Sequence, residues 1–302
     1  MAKAVTPKSN FSQPGGGSPA IPAQPLRPRE LQDPLNYYLY HPLAWRLALR
    51  LAKTPLTPNM VSVCGGLLVV AAAFVYAMPG WPLTALLGLA LHMGWHVVDG
   101  ADGDLARITG KASPMGELVD GICDYSSHIV LYFVMLWVLL PQLGWIAWPI
   151  MLAAGISHIL QSNHVEVQRR QYQWWVYGTP WLRNTHQAGG EIREMGFAGI
   201  VAGYLRLASG MTPYALRIDS AVEAANPAAL EHLRGEVRAE APPLLLMLKF
   251  LGPNPRALVL GGSMLAGSPL YFFIYQAVVL NLLLVGSVMM HNAAAKRIVA
   301  RL

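Results

Sequence analysis

Apolar residues run along this chain in long uncharged blocks, divided by short polar or Pro/Gly-rich breaks. Asn59 to Pro79 is uncharged and long enough to cross a hydrocarbon layer, which takes about 20 helical residues. Trp81 to Val98 is uncharged and then runs into Asp99. Tyr125 to Pro141 is uncharged and follows an acidic stretch. Leu143 to Ile159 is apolar and leads into a polar extension from His158 to Tyr172. Pro269 to Met290 makes a clear last block. Ala257 to Ser268 is short and Gly-rich, and Gly-Pro-Asn-Pro at 252–255 cuts it off from the apolar Leu244 to Leu251. The run from Ala257 to Met290 is therefore either a hairpin turning at Ser268-Pro269 or one long span.

A different pattern precedes the first block. His41 to Lys53 predicts a short helix opened by Pro42, with Arg46, Arg50 and Lys53 on one face and Leu43, Trp45, Leu47, Leu49 and Leu51 filling much of the rest. That is the pattern of a helix lying in the headgroup plane, and also of an ordinary core-packed amphipathic helix.

Charge placement decides the number of spans. The turns at Pro79-Gly80, Pro141–Gly144 and Gly267–Pro269 hold no Lys or Arg, and the 22 basic residues all lie in the tail, the other connections and the C-terminus. Six spans put all of them on one side, whereas five would strand Lys296, Arg297 and Arg301 outside. The expected fold is an all-α membrane protein: six transmembrane helices, an N-terminal interfacial amphipathic helix, and both termini cytoplasmic. Residues 1–34, rich in Pro, Gly, Ser and Ala, form a disordered tail. Residues 35–172 carry the interfacial helix and the first four spans, 173–242 a polar cytoplasmic insert, and 243–302 the last two spans. Within the insert, Gly189-Gly190 is a break, Met195 to Leu207 an interfacial helix, and Ala228 to Ala241 a charged helix.

Composition agrees. Charged residues make up 13% of the chain, against about 25% in soluble domains, and mean hydropathy is +0.37. The net charge of +6 does not imply nucleic acid, because the basic residues are spread along the chain and flank apolar runs. Cys64 and Cys123 both sit in apolar segments, which excludes a disulfide framework or a zinc pattern.

The chemistry concentrates where the second block ends. Asp99 and Asp102 are three apart and Asp120 and Asp124 four apart, so each pair shares a helical face. The short connection from Ile108 to Met115 lets the two helices pack side by side with the pairs facing. Carboxylates at a membrane boundary are costly, and four together need a counter-charge. Hard oxygen ligands select Mg2+ or Mn2+, and four Asp suit two ions. Gly103, Ala106 and Gly116 leave room for a bulky group such as a nucleotide base, and Arg107 offers a planar fork for phosphate.

These residues form the pattern D-x2-D-G-x2-A-R-x8-G-x3-D-x3-D over Asp99 to Asp124. It resembles the signature of the CDP-alcohol phosphatidyltransferase family at every fixed position. Thr57-Pro58-Asn59 is also similar to family members, and a six-span layout extends the resemblance over roughly residues 35–172 and 243–302. The insert departs from compact members and bears on acceptor choice. The resemblance implies metal ligation by Asp99, Asp102 and Asp120, with Asp124 at the second metal and acting as general base. It implies that Gly103, Ala106, Arg107 and Gly116 line the CDP pocket, and that the chain is a homodimer. The implied reaction moves a phosphoalcohol group, in the first instance phosphatidyl from CDP-diacylglycerol, onto a hydroxyl acceptor with release of CMP.

Other residues offer less. Ser157, His158, Gln161, Ser162, Asn163 and His164 read equally as an acceptor pocket or as helix-end polar groups. Arg256 and His158 are the acceptor candidates, Arg169-Arg170 a weaker one, His92 and His96 structural histidines, and Trp174 and Trp175 interface anchors. Competing functions are a soluble CDP-alcohol donor with a lipid acceptor, a divalent-metal transporter and a dead scaffold, though no Asp of the pattern is missing. Composition points to a bacterial inner membrane, with the site at its cytoplasmic face.

Overall fold

The computed structural model describes residues 27–179, 181 and 198–302, and every regular element among them is helical. A 3-10 turn at Arg29–Leu31 and a π-helical turn at Asn36–Tyr40 lead into α1 (His41–Leu51). The Thr57 hydroxyl accepts the Met60 amide at 3.3 Å and Pro58 fills the first helical position, which starts α2 (Pro58–Ala77). Next comes α3 (Leu83–Ile108), helical through the whole first half of the Asp pattern. Ser113 caps α4 (Pro114–Leu143) by accepting the Gly116 amide at 3.0 Å. A 3-10 turn at Gly144–Ile146 leads into α5 (Ala147–Tyr177), which Gly178 ends in the left-handed conformation at φ 67°.

The insert holds α6 (Ala198–Met211), α7 (Ala215–Ala224) and α8 (Pro227–Phe250), the last capped by Asn226. Then come α9 (Pro253–Leu265) and α10 (Leu270–Arg301), whose second turn is π-helical at Tyr275–Val279. Between them Gly267 sits at φ 86°, a conformation that favours glycine, so the stretch from Ala257 to Met290 is a hairpin and not one helix. At 13 residues α9 is about 20 Å long, shorter than a hydrocarbon layer of about 30 Å.

Among the described residues three helical stretches are long and apolar enough to cross a membrane: Pro58–Ala77, Met115–Tyr177, which runs through α4 and α5, and Leu270–Arg301. The other two expected spans fall short of that measure, α9 by length and α3 because its apolar half carries His92, His96 and Asp99. Large apolar side chains point outward along the three apolar stretches, Trp137 at 70% exposure and Leu282 at 71%, as a lipid-facing surface requires.

One end of the bundle gathers three turns. The Trp81 indole donates to the Leu265 carbonyl at 3.0 Å, and the Ser268 hydroxyl to Gln142 Oε1 at 2.5 Å. The shared core between the ends is built from Tyr76, Leu131, Met135, Leu139, Leu260 and Phe273. Helices α2 and α3 approach so closely that a Cβ on Gly88 would lie 2.5 Å from the Tyr76 ring. On α1, Ala44 and Ala48 are buried against Ala101 and Leu105 of α3, while Leu43 is exposed.

The polar extension of α5 makes interhelical bonds. Gln161 donates to the Gln276 carbonyl and to Asn281, Asn281 to Ser157, and His164 meets Ser287 at 2.9 Å. Gln161, Asn163 and His164 are buried, so they do not face headgroups, one of the two readings the sequence had allowed. Trp175 is a second correction: it is buried, with its indole donating to Asp219 at 2.6 Å, and so is no interface anchor.

The described part of the insert is docked. Leu233, Val237, Ala241, Leu245 and Leu248 form one face of α8 and pack on Trp175 and Val176 of α5 and Ile298 of α10. Ion pairs from Arg297 to Glu240 at 2.6 Å and Arg301 to Glu236 at 2.8 Å tie the same helices. Residues 27–34, grouped by composition with the tail, lie against the bundle because Arg27, Glu30 and Asp33 find partners there. The rest of that tail, residues 1–26, and the Gly189-Gly190 break lie outside the described residues.

The Gly88–Tyr76 contact makes a prediction. Gly88→Ala is expected to cost about 1–3 kcal/mol and lower the melting temperature of the detergent-solubilised protein. Gly94→Ala, which meets nothing within 4 Å, is the control and should leave it unchanged or raised.

Candidate metal centre

Helix α3 presents Asp99 and Asp102 one turn apart, and the first turns of α4 present Asp120 and Asp124. The two helices bring carboxylate oxygens of Asp99, Asp120 and Asp124 within 4.8 Å of one another. Asp102 joins them through Asp120, which lies within hydrogen-bonding reach. Asp99 and Asp124 are within the same reach. Among the described residues this is the only grouping of three or more His, Cys, Asp or Glu with metal-ligating geometry. The donor set is all carboxylate oxygen, which fits a hard divalent cation.

Protein donors hold the carboxylates in place. Asp102 is buried, accepting from the Ser62 hydroxyl on α2 at 2.5 Å and from the Gly103 amide. The Trp95 indole donates to Asp124 Oδ1 at 3.1 Å. His128 Nδ1 lies 2.8 Å from the Asp124 backbone carbonyl. The Ser62, Gly103 and Trp95 donors each fix a carboxylate whose position would otherwise depend on rotamer freedom alone.

Behind Asp124 lies a layer of rings. Trp95 packs on His128 with centroids 4.9 Å apart, His128 on His92 at 5.7 Å and on His158 at 5.6 Å. The Tyr132 hydroxyl is 3.1 Å from His158 Nδ1. His92 and His96 are buried in this layer. His158 thus sits next to the Asp124 helix, in a position set by packing.

Arg256, at the start of α9, is buried and donates to Ser162 at 2.7 Å and to Gln161 at 3.5 Å. Its Nε has no partner, and no carboxylate pairs with it among the described residues. By contrast, Arg170 is committed to Glu166 at 2.7 Å and lies 3.7 Å from Glu117, and Arg169 is 3.9 Å from Glu166.

Gly103 lies beside Arg107, whose guanidinium would be 3.5 Å from an added Cβ, and Gly116 faces Ser113 and Asn59. Ala106 is half-buried on the same stretch of α3. Arg107 donates to Asp104 Oδ1 at 2.6 Å. Asp104, a variable position of the pattern to which the sequence assigned nothing, is fully buried.

Sequence reasoning passed over Ser62, Trp95, His128 and Asp104. Trp95 is four residues before Asp99 and His128 four after Asp124, so extending each Asp face by one turn finds both. Ser62 and Asp104 carry no such signal.

Residues 55–180 match the family described as CDP-alcohol phosphatidyltransferase. Ethanolaminephosphotransferase 1 of Pongo abelii and of Homo sapiens are each 31% identical to the chain over 118 residues, covering 34% of this chain and 28% of theirs. CDP-diacylglycerol–serine O-phosphatidyltransferase of Mycobacterium leprae (strain TN) is 33% identical over 107 residues, covering 34% of this chain and 33% of its own. The chain therefore spans about a third or less of the curated relatives it matches.

Two substitutions test the geometry. Asp120→Asn is expected to weaken Mn2+ binding by roughly tenfold or more, read by electron paramagnetic resonance of the bound ion. Trp95→Phe keeps the ring packing but frees Asp124, and is expected to weaken Mn2+ binding severalfold without lowering the melting temperature.

Proposed function

We propose that this chain, whose residues 55–180 match the CDP-alcohol phosphatidyltransferase family, is a membrane-embedded transferase of phospholipid biosynthesis, moving a phosphoalcohol group from a CDP-linked donor to a hydroxyl acceptor. The observation that carries the reading is the convergence of Asp99, Asp120 and Asp124 from two neighbouring helices. In this reading Asp99, Asp102 and Asp120 hold a divalent cation, Mg2+ or Mn2+, and Asp124 stands at a second. The bound cation supplies neutralisation of the donor's diphosphate.

The protein's own residues do the rest. Gly103, Ala106 and Gly116 leave space for the cytidine, and Arg107 turns its fork to a phosphate. Asp124, aimed by the Trp95 indole, takes the proton from the acceptor hydroxyl. That oxygen attacks the β-phosphorus, the bond from the β-phosphorus to the bridging oxygen breaks, and CMP leaves with that oxygen. Arg256 is a buried cation held by neutral Ser162 and Gln161, which suits an anionic group on the acceptor, with His158 beside it.

Six spans with both termini cytoplasmic remain the topology that best fits the basic residues, which avoid the three gathered turns. It places the carboxylates at the cytoplasmic boundary, where a soluble nucleotide and a lipid tail can meet. A bacterial inner membrane and a homodimer complete the reading. The insert 173–242 serves acceptor choice.

The donor is CDP-diacylglycerol in the first reading, as in the serine-specific relative's name. The ethanolaminephosphotransferase relatives favour a second, in which a soluble CDP-alcohol gives its headgroup to a lipid hydroxyl. A metal transporter is disfavoured because the carboxylates lie at one end of two helices and do not line a path through the bundle.

Purified protein in mixed micelles with Mg2+ or Mn2+ is expected to release CMP from one of these donor–acceptor pairs, with the product identified by mass. Asp124→Asn should lower turnover by about 10²–10⁴-fold, and undiminished turnover would exclude the base assignment. Arg256→Gln should raise the acceptor KM by roughly tenfold and leave the donor KM unchanged, if the acceptor is anionic.

A further inference from the structure

The segment before α1 is held by three parts of the bundle. Arg27 donates to Asp104 of α3 at 2.6 Å. Glu30 accepts from Tyr172 of α5 at 3.3 Å and from Tyr177. Asp33 accepts from Asn254 of α9 at 2.8 Å. Within the segment, Gln32 donates to the Arg27 carbonyl at 2.8 Å and meets His41 at 2.7 Å, which fixes the arm's path into α1.

The end of this arm shows an imbalance of charge. Asp104 is fully buried, and one of its oxygens receives two guanidiniums, Arg27 and Arg107, each at 2.6 Å. Asp104 can neutralise only one of the two, and because the Arg107 side chain is 48% exposed and that of Arg27 22%, the second charge is open to an anion arriving from outside. Arg27 Nη1 is buried as well and has no protein partner. Arg169 of α5 is near enough to act electrostatically on both Arg27 and Asp99, and Arg107 is near enough to act on Asp102. The guanidiniums therefore gather beside the carboxylate cluster, and the charge that Asp104 does not neutralise is accessible to an anion there.

We propose that Arg27, carried in by the N-terminal arm, is a diphosphate-binding residue of the donor site, working with Arg107 across Asp104. The assignment rests on the transferase reading and adds to it a residue outside the Asp99–Asp124 pattern. The ligand class is a nucleoside diphosphate, whose two phosphate groups match two forks better than one. Asp104 is the positioning residue: it holds both forks at a common point and is itself too buried to touch the ligand.

The test uses the full chain in detergent and titrates CDP in the presence of Mn2+ by calorimetry, alongside steady-state kinetics. Arg27→Gln is expected to weaken CDP binding by roughly tenfold and to raise the donor KM equally, with kcat and the acceptor KM unchanged. Arg27→Lys should recover part of that affinity, because it keeps the charge and loses the fork. A purely structural strap would instead lower the melting temperature and kcat while leaving the affinity for CDP alone, which overturns the proposal. If Arg27→Gln does not fold, Arg27→Lys decides: CDP affinity equal to wild type overturns the proposal, and a loss of about threefold or more supports it. Wild-type protein that fails to bind CDP removes the transferase reading itself, whereas wild type and Arg27→Gln binding equally well removes this assignment alone.

Discussion

Carboxylate oxygens of three aspartates within 4.8 Å of one another impose the condition that the surrounding structure answers. Two unit charges at that separation repel by about 3.5 kcal/mol at an effective dielectric of about 20, and three ionised groups make three such pairs. That total is comparable to the 5–15 kcal/mol, roughly, by which a folded protein exceeds its unfolded chain. The cluster is sustainable in its ionised form only with donors aimed at it and a cation within it. Ser62, the Gly103 amide and the Trp95 indole are the donors. They come from α2 and α3, so the arrangement holds only where α2, α3 and α4 meet. The small residues of that junction, Gly65 and Gly66 among them, serve this closeness: a Cβ on Gly66 would stand 3.4 Å from the Cys123 carbonyl of α4.

The positive side of the site follows a different logic. Arg170 and Arg169 have Glu166 nearby, and Arg297 and Arg301 have Glu240 and Glu236. The first two pair within α5, and the last two fasten α10 to α8. Arg256 has only neutral partners, and Arg27 shares its single carboxylate with Arg107. Arg256 is buried and the Arg27 side chain 22% exposed, and a guanidinium whose charge the protein meets only in part is costly to keep. Acids that need a cation and guanidiniums that need an anion are together complementary to a cation-bridged diphosphate, and neither set alone is.

How much of this could be read from the chain depends on whether a feature is local. The Asp spacing is local: three and four residues on a helix fix a face, and the face is where the structure has it. The breaks at Gly144, Gly178 and Gly267 are local too, since each needs a positive φ. The partner of Trp95 is not, because its indole crosses from α3 to α4, and neither is that of Asp104, which lies 77 residues from Arg27. The prolines and glycines before Arg27 describe a tail, yet Arg27, Glu30 and Asp33 each find a partner on a helix far along the chain. Trp175 reads as an interface anchor from its place after an apolar stretch, but the insert folds back over it and supplies Asp219.

The polar stretch of α5 shows the same difference most fully. Ser157, Gln161 and His164 recur at helical spacing, which marks a face but does not say what the face meets. In water such a face would turn outward. Beside apolar helices it turns inward, because a neighbouring helix offers hydrogen bonds that lipid does not. Here α10 answers with Gln276, Asn281 and Ser287. Gln161 is the hinge of this arrangement, bonded to α10 on one side and reaching Arg256 of α9 on the other. Its neutrality matters. A carboxylate in its place would hold α5 and α10 together as well, but it would cancel the charge of Arg256, which has no carboxylate partner among the described residues. The amide fixes Arg256 in space and leaves its charge for a ligand, so a residue that reads as structural is also the one that keeps the acceptor side of the proposed site positive.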